Sequence, residues 1–276
     1  KSSIKASFTM NYQYIHMASY TSVSLPTDIW VPSTSLVKPQ IGFQYSLGYF
    51  RNFADNMWET SIEVYYKDMR NQIEFKEGFS AVDNLKNNTD NNFTFGKGWS
   101  YGGELFIKKR QGKTTGWIGY TLSWTKRKFP EINGGETYPA KYDRRHDISI
   151  VITQQLGKRW SISGVWVYST GNAMTLPLSR YFLSGNIVNE YSKRNAFRMP
   201  SYHRLDISAT FSSKDKPGRK FHWDLNFGVY NLYSRMNPYY IYFETTGDLT
   251  TMNLETKAKQ VSLFPIIPSI TWNFNF

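Results

Sequence analysis

Strict alternation of apolar and polar residues over long segments is the feature that most constrains this sequence. In the last segment the even positions from 264 to 276 are apolar, while Ser269, Thr271, Asn273 and Asn275 stand between them. Because successive side chains of a β-strand point to opposite faces, this period of two predicts strands with one apolar and one polar face. The pattern recurs in ten segments of the chain. Most are at or above the ~9–11 residues that cross a bilayer at a tilt.

The connections between these segments alternate in length. The short ones are 51–57, 110–115, 156–160 and 212–220, and the long ones are 16–38, 75–97, 126–143, 170–200 and 233–259. Outer-membrane barrels have short periplasmic turns and long extracellular loops. A soluble sandwich or jelly roll has shorter strands, and nothing in it forces loop lengths to alternate. The sequence therefore predicts an all-β fold, an antiparallel transmembrane β-barrel segment of about ten strands.

Tryptophan positions support a barrel segment whose short turns face the periplasm. If the short turns are periplasmic, Trp58, Trp160 and Trp223 each begin an ascending strand at the periplasmic interface, where aromatic girdles belong. Trp117 stands at the same level but on the polar parity of its strand. We therefore predict a β-bulge or a local shift of register at Trp117.

Charge and composition narrow the function. The chain carries 33 Lys and Arg against 21 Asp and Glu, a net charge of +12, concentrated in turns and loops. This placement suits solvated turns and contact with lipopolysaccharide phosphates, and it argues against nucleic-acid binding. No cysteine exists, and none of the four histidines has metal-ligand spacing. The sequence predicts no metal and no cofactor.

One polar cluster opens a strand at the extracellular rim. Its members are Asp143, Arg144, Arg145, His146 and Asp147, and His203 and Asp206 are expected at a similar height two strands later. An Asp/His pair at a barrel rim can support hydrolysis. The alternative is a salt-bridged rim that fixes strand entry or contacts a plug. We favour the salt-bridged rim and predict no catalytic residue.

Aromatic residues in the long loops are the candidates for ligand contact. Tyr181 and Phe182 lie in one loop, and Tyr239 and Tyr240 lie in the last one. Such side chains stack on ligands, but they equally hold loops together, and the sequence leaves both interpretations open.

Several short motifs together resemble a known family. They are Pro39 before Gly42 and Gly48, Trp58 before Tyr65-Tyr66-Lys67 and Asn71-Gln72-Ile73, the run from Tyr138 to Asp147, and Asn231-Leu232-Tyr233-Ser234-Arg235. In this order they are similar to the C-terminal part of TonB-dependent outer-membrane receptors, especially the Bacteroidetes type. The final strand resembles the family's C-terminal assembly signal, which would be carried by Trp272, Phe274 and Phe276.

The resemblance implies a function and partners. Residues 1–276 would form the C-terminal part of a 22-stranded receptor barrel, with the plug and the N-terminal strands absent from this chain. The implied activity is TonB-driven uptake of a scarce ligand such as a siderophore, cobalamin, a glycan or a peptide, across the bacterial outer membrane, without enzymatic chemistry. The implied partners are the rest of the receptor, the TonB complex, lipopolysaccharide and a surface lipoprotein cap.

Alternation begins at once after Lys1. We therefore expect either that a targeting segment was removed or that the chain starts inside a larger protein. The alternative to the receptor is a self-contained ten-stranded barrel that acts as a porin or a rim-site hydrolase.

Overall fold

A ten-stranded antiparallel meander dominates the computed structural model, which describes residues 2–18, 29–77, 89–183, 186–214, 221–248 and 253–275. Each long strand pairs with the next one along the chain. The strands are β1 Ser2–Gln13, β2 Gln40–Phe53, β3 Trp58–Phe75, β4 Phe93–Lys109, β5 Thr114–Lys128, β6 His146–Gln155, β7 Trp160–Ser169, β8 Tyr202–Ser212, β9 His222–Tyr230 and β10 Ile267–Asn275. The predicted number and order of strands are confirmed.

The two faces of the sheet differ as the alternation predicted. One face exposes large apolar side chains, and in β10 the exposed fractions of Ile270, Trp272 and Phe274 reach 72%, 60% and 51%. On the opposite face, short polar side chains bond across neighbouring strands. These pairs are Ser7 with Ser46, Ser100 with Thr125, Thr153 with Ser163, and Asn226 with Thr210. An apolar face turned outward and a hydrogen-bonded polar face turned inward is the arrangement of a barrel wall in lipid.

Aromatic rings gather at the end of the sheet that carries the short turns. Trp58 is the first residue of β3 and stacks on Phe53, with ring centroids 6.2 Å apart. Phe211 lies between Trp160 and Trp223, at 4.7 Å and 5.9 Å. The tryptophans predicted for the periplasmic interface therefore form a belt with neighbouring phenylalanines.

The bulge predicted at Trp117 is wrong. Pairing between β4 and β5 runs without a register shift, with Trp117 opposite Lys108. Trp117 lies on the polar face, where its ring packs 6.0 Å from that of Phe106. A Cβ added at Gly119 would lie 3.4 Å from the Trp117 ring. This is close to an ordinary van der Waals contact, so the indole packs beside Gly119 on the inner face without a gap between them.

A bulge does occur near the other end of the sheet. The register between β3 and β4 shifts between Met69 and Gln72, and Asn71 adopts a φ of 54°. This irregularity increases local twist and changes which face each side chain takes. Above it, Ile73 and Phe75 are buried instead of lipid-exposed.

The long connections contain more regular structure than the sequence predicted. Additional strand segments are Ile15–Ala18 with Ile29–Pro32, Ala173–Met174 with Phe197–Arg198, Pro177–Leu183 with Asn186–Tyr191, Pro238–Asp248 with Asn253–Ser262, and Thr137–Pro139 on β5. Short 3₁₀ helices span Thr89–Asn92 and Asn133–Gly135. The predicted 75–97 loop is also too long, because β4 already begins at Phe93.

Two small apolar cores lie in this loop region. One joins the first hairpin to the extended ends of β3 and β4, through Ala18, Val31, Val37, Ile73, Phe75 and Phe93. The other contains Phe129, Ile132 and Tyr138. The loops therefore have packed interiors although the sheet itself is one layer.

The sheet is open. No ladder joins β1 to β10 within the part of the chain that the structure describes. Every residue of β1 is exposed, on the apolar face as well as on the polar face. The described helices include none with the length and apolar character needed to cross a bilayer.

Candidate functional site at the loop end of the sheet

Asp143 is the centre of the predicted rim cluster and is almost completely buried, with 2% of its surface exposed. One carboxylate oxygen accepts a hydrogen bond from the Thr125 backbone N–H at 2.6 Å. The other accepts a short charge-assisted bond from Arg198 and lies 3.5 Å from an Arg145 nitrogen. A carboxylate this buried is stable in its ionised form only when cations and donors surround it, as they do here.

Arg198 ties a distant loop to this carboxylate. Its guanidinium also donates to the backbone carbonyls of Asp143 and Gly171, at 2.5 and 3.3 Å. The neighbouring Arg144 donates to the Asn172 side chain at 2.9 Å. The cluster therefore holds the start and the end of the 170–201 connection against the entry to β6.

The histidines of the rim do not pair with carboxylates. His146 stacks on Tyr120, and its Nδ1 lies 2.9 Å from the Tyr120 hydroxyl. His203 Nδ1 lies 2.8 Å from the Tyr233 hydroxyl. Both histidines follow the outer parity of their strands, whereas Asp147 and Asp206 follow the inner parity. A general base oriented by a carboxylate is therefore not assembled at this rim.

A second clamp closes the tops of β8 and β9. Asp206 accepts hydrogen bonds from Arg204 at 3.0 Å and from the Asn231 backbone N–H at 2.8 Å. The buried Asn231 side chain donates to the carbonyls of Arg235 and Phe264, at 2.9 and 3.0 Å. Asn231 has a φ of 52°, a conformation that asparagine tolerates better than most residues. The motif that carried the resemblance is thus a turn that pins the last long connection to β8.

Asn237 holds the base of the last hairpin. Its amide accepts from the His203 backbone N–H at 3.0 Å and donates to the His203 carbonyl at 2.9 Å. Directly after it, Tyr239 and Tyr240 have ring centroids 5.8 Å apart, and Tyr242 lies 5.9 Å from Tyr240. Tyr239 and Tyr242 are exposed and Tyr240 is half-buried, on a hairpin whose base Asn237 holds in place.

The other two aromatic candidates, Tyr181 and Phe182, lie on the backbone ladder of Pro177–Leu183 with Asn186–Tyr191. Their side chains lie outside the described residues. Their role in ligand contact stays a prediction.

A third polar node joins two long connections to the ends of β3 and β5. Glu74 accepts a hydrogen bond from Arg127 at 3.1 Å and has Arg194 at 3.6 Å. Asn133 and Arg194 exchange two hydrogen bonds, the shorter at 2.6 Å. Burial, and next the Glu74 carboxylate, raise the pKa of the Tyr138 hydroxyl well above its usual range. The 129–145 and 170–201 connections therefore meet at one half-buried polar node, beside the buried Tyr138 side chain.

The family follows from the sequence over most of the chain. The family described as TonB dependent receptor-like, beta-barrel matches residues 3–232. The chain belongs to this family. No curated protein sequence matches this chain.

Solved TonB-dependent receptors share the fold at low identity. The ferripyoverdine receptor of Pseudomonas aeruginosa is 16% identical over 87% of this chain and 28% of that chain, with a TM-score of 0.57. The ferric-catecholate import receptor Fiu of E. coli is 13% identical over all of this chain and 33% of that chain, at 0.55. The receptor in the FpvAI–pyocin S2 complex is 14% identical over 99% of this chain and 31% of that chain, with a TM-score of 0.59. The chain thus spans about a third of the length of these receptors.

Membership in the TonB-dependent receptor family settles location and sidedness. The chain is an outer-membrane β-barrel segment of a non-enzymatic receptor family. Its short turns are then periplasmic and its long connections extracellular. Asp143, Glu74 and Asn231 consequently lie at the extracellular rim.

In this receptor segment, the predicted assembly signal is partly visible. Trp272 and Phe274 lie on the outer face of β10, with rings in an edge-to-face contact at 5.5 Å. Phe276 lies outside the described residues. Recognition by assembly machinery stays a prediction.

Residues that sequence reasoning missed are the loop partners of the rim. Arg198, Asn133 and Asn237 each act across more than 30 residues of chain. No metal-binding group of three or more His, Asp or Glu occurs among the described residues.

Proposed function

We propose that this chain supplies the C-terminal barrel strands of a TonB-dependent transporter that imports a scarce ligand through the outer membrane. The observation that carries the proposal is a ten-stranded receptor-type sheet whose two edge strands have no partner among the described residues. Open strand edges are not tolerated in lipid, so other strands must complete the wall. We propose a 22-stranded barrel with a plug, of which residues 1–276 are one C-terminal part.

The polar inner face supports a plugged lumen. Serine, threonine, asparagine and glycine dominate it, and the bonds across it are short and local. A wall of small polar side chains leaves a wide lumen, which suits an inserted plug better than a closed narrow barrel.

For the ligand we propose a ferric siderophore, with cobalamin, a glycan or a peptide as the other classes. The similar structures are receptors for ferripyoverdine and ferric catecholate. The exposed tyrosines of the last hairpin offer flat aromatic surfaces to such a ligand. Tyr181, Phe182, Tyr239 and Tyr240 are the proposed contacts.

The proposed partners are the rest of the receptor, the TonB complex acting through it, and a surface lipoprotein cap. We also propose a Bacteroidetes-type receptor, on the strength of the sequence motifs. The genomic neighbourhood of the coding sequence tests the cap and the source together.

Two measurements test the transporter. Intact mass and N-terminal sequencing of the polypeptide from purified outer membranes should give a mass several tens of kilodaltons above the 32.2 kDa of this chain. Uptake of a labelled ligand panel should then require both the receptor and TonB. A mature polypeptide of 32.2 kDa, or uptake that persists without TonB, would contradict the proposal.

A further inference from the structure

The turns between β4 and β5, between β6 and β7, and between β8 and β9 form one continuous edge at the periplasmic end of the sheet. The Gln155 N–H donates to the Lys113 carbonyl at 2.7 Å, which joins the first of these turns to the second. The Ser212 N–H donates to the Arg159 carbonyl at 2.8 Å, which joins the second turn to the third. Side chains on the three turns therefore have a fixed order along the periplasmic rim.

Each of these turns carries an exposed lysine, and the three are Lys113, Lys158 and Lys214. Neighbouring strands lie about 4.8 Å apart, so lysines on successive turns are roughly 10 Å apart and the whole row is roughly 20 Å long. Among the described residues, the ion pair at this end of the sheet joins Arg110 to Glu59, and the three lysines form none. The row of three lysines is called here the basic edge.

Other cations at this end lie on the aromatic belt, whereas the basic edge extends beyond it. Lys109 Nζ lies 5.8 Å from the centre of the Trp58 ring, and the Arg159 guanidinium lies 4.0 Å from that of Phe211. Such rings mark the membrane interface. The basic edge stands on the turns themselves, on the periplasmic side of these rings. Its ammonium groups therefore face the periplasm.

A row of three unpaired lysines suits a partner with repeated negative charges. An ammonium group is a compact point charge, so it binds a carboxylate without the planar two-bond geometry of arginine. One exposed ion pair contributes little, and useful affinity requires several linked anions that engage together. Separate lipid headgroups are not linked to one another, whereas a polymer with a carboxylate on each repeat unit can contact all three lysines at once.

We propose that the basic edge binds the peptide-stem carboxylates of peptidoglycan, the anionic polymer that lies beneath the outer membrane. The contact would hold this side of the barrel wall against the cell-wall layer. The assignment rests on the outer-membrane location and on the periplasmic position of the short turns. It is independent of the transported ligand and of TonB, so failure of the transporter proposal leaves it intact.

Co-sedimentation of the detergent-purified, full-length receptor with isolated peptidoglycan sacculi tests the site. The variant is K113Q/K158Q/K214Q, in which all three substitutions fall on exposed turn residues. Because each exposed ion pair contributes modestly and three are lost together, we expect the affinity for sacculi to fall roughly tenfold. Wild-type binding should also disappear near 1 M salt, where the Debye length is about 3 Å.

The matched control is K76Q/K97Q/K128Q, which removes three exposed lysines from the extracellular end and leaves the same net charge as the variant. The control should sediment as wild type. Lys→Arg substitution at all three positions of the basic edge should also preserve binding, because it keeps the charges.

Amidation of the sacculus carboxylates identifies the chemical group that is bound, and it should abolish binding by the wild type. Equal sedimentation of the glutamine variant and wild type, an equal loss in the control, or unchanged binding to amidated sacculi would overturn the proposal. Phosphatidylglycerol that co-purifies with the receptor is measured in parallel. Its loss from a glutamine variant that still sediments would assign the basic edge to lipid headgroups and overturn the assignment to peptidoglycan.

Discussion

The substitution Asp143→Asn removes the negative charge of this rim residue and keeps the size and shape of its side chain. Asparagine keeps an oxygen for the Thr125 backbone N–H, which now donates to Asp143 at 2.6 Å. It loses the charge-assisted bond from Arg198 and the attraction of Arg145 at 3.5 Å. The variant therefore changes the interaction with the 170–201 connection and leaves the local turn intact.

The expected magnitude follows from burial. Breaking a buried ion pair typically costs about 3–5 kcal/mol when the remaining charge stays buried. Here the remaining partner, Arg198, has 32% of its side chain exposed and can regain water. We therefore expect a loss of about 2–3 kcal/mol, which corresponds to a roughly 30- to 150-fold increase in local opening.

Hydrogen exchange of the purified receptor measures this opening directly. The Met199 N–H donates to the Asn172 carbonyl, and the Thr170 N–H donates to the His146 carbonyl, both at 2.9 Å. Peptides that contain these amides should exchange faster in Asp143→Asn by the stated factor. Peptides from the periplasmic turns should be unchanged.

The matched control is Arg144→Gln, which removes an exposed contact to Asn172 in the same cluster. Exposed polar pairs contribute about 0–1 kcal/mol, so its exchange should rise less than about fivefold. The reasoning fails if Asp143→Asn leaves exchange of the Met199 amide at the wild-type rate, or if both variants accelerate it equally.

Three more predictions concern other contacts. Burial lowers the pKa of His16 below 6.5, so the folded hairpin of Ile15–Ala18 with Ile29–Pro32 favours the neutral imidazole. The stability of this hairpin should therefore fall as the pH drops from 6.5 towards the lowered pKa. Trp30 fluorescence should report this change in wild type but not in His16→Leu. Asn237→Ala removes both bonds to the His203 backbone and should cost about 1–3 kcal/mol, measured as faster limited proteolysis of the last hairpin. Gly96→Ala would place a Cβ against the Lys128 backbone carbonyl and should reduce the folded fraction seen by gel electrophoresis of unheated samples. Gly103→Ala should not, because the nearest atom to its added Cβ is 3.8 Å away.

The strands were predictable because lipid and lumen impose opposite chemistry on alternate residues. This constraint acts at every position, and it gave the right strand order and the right outer face for Trp58, Ile270 and Trp272. It fails at Trp117. This indole lies on the inner face and packs on the Phe106 ring, and alternation alone does not predict an aromatic side chain on the polar face.

The sequence predicted only one side of the contacts at the rim. The run from Asp143 to Asp147 was identified, but its partner Arg198 lies 55 residues later in a connection taken as loop. One signal was available: a carboxylate buried at a strand entry requires a cation. The sequence offered several candidate cations in the long connections, and only the fold shows which of them reaches Asp143.

Many rim contacts join a side chain to a backbone atom instead of another side chain. Asp143 binds the Thr125 N–H, Asn231 binds the Phe264 carbonyl, and Asn237 binds both backbone groups of His203. A backbone partner is the same whatever residue occupies the position, so these anchors constrain the path of a loop but not its surface. The rim can therefore hold long connections in fixed places, whereas the exposed side chains beyond it, such as those of Tyr239 and Tyr242, can differ without loss of these anchors.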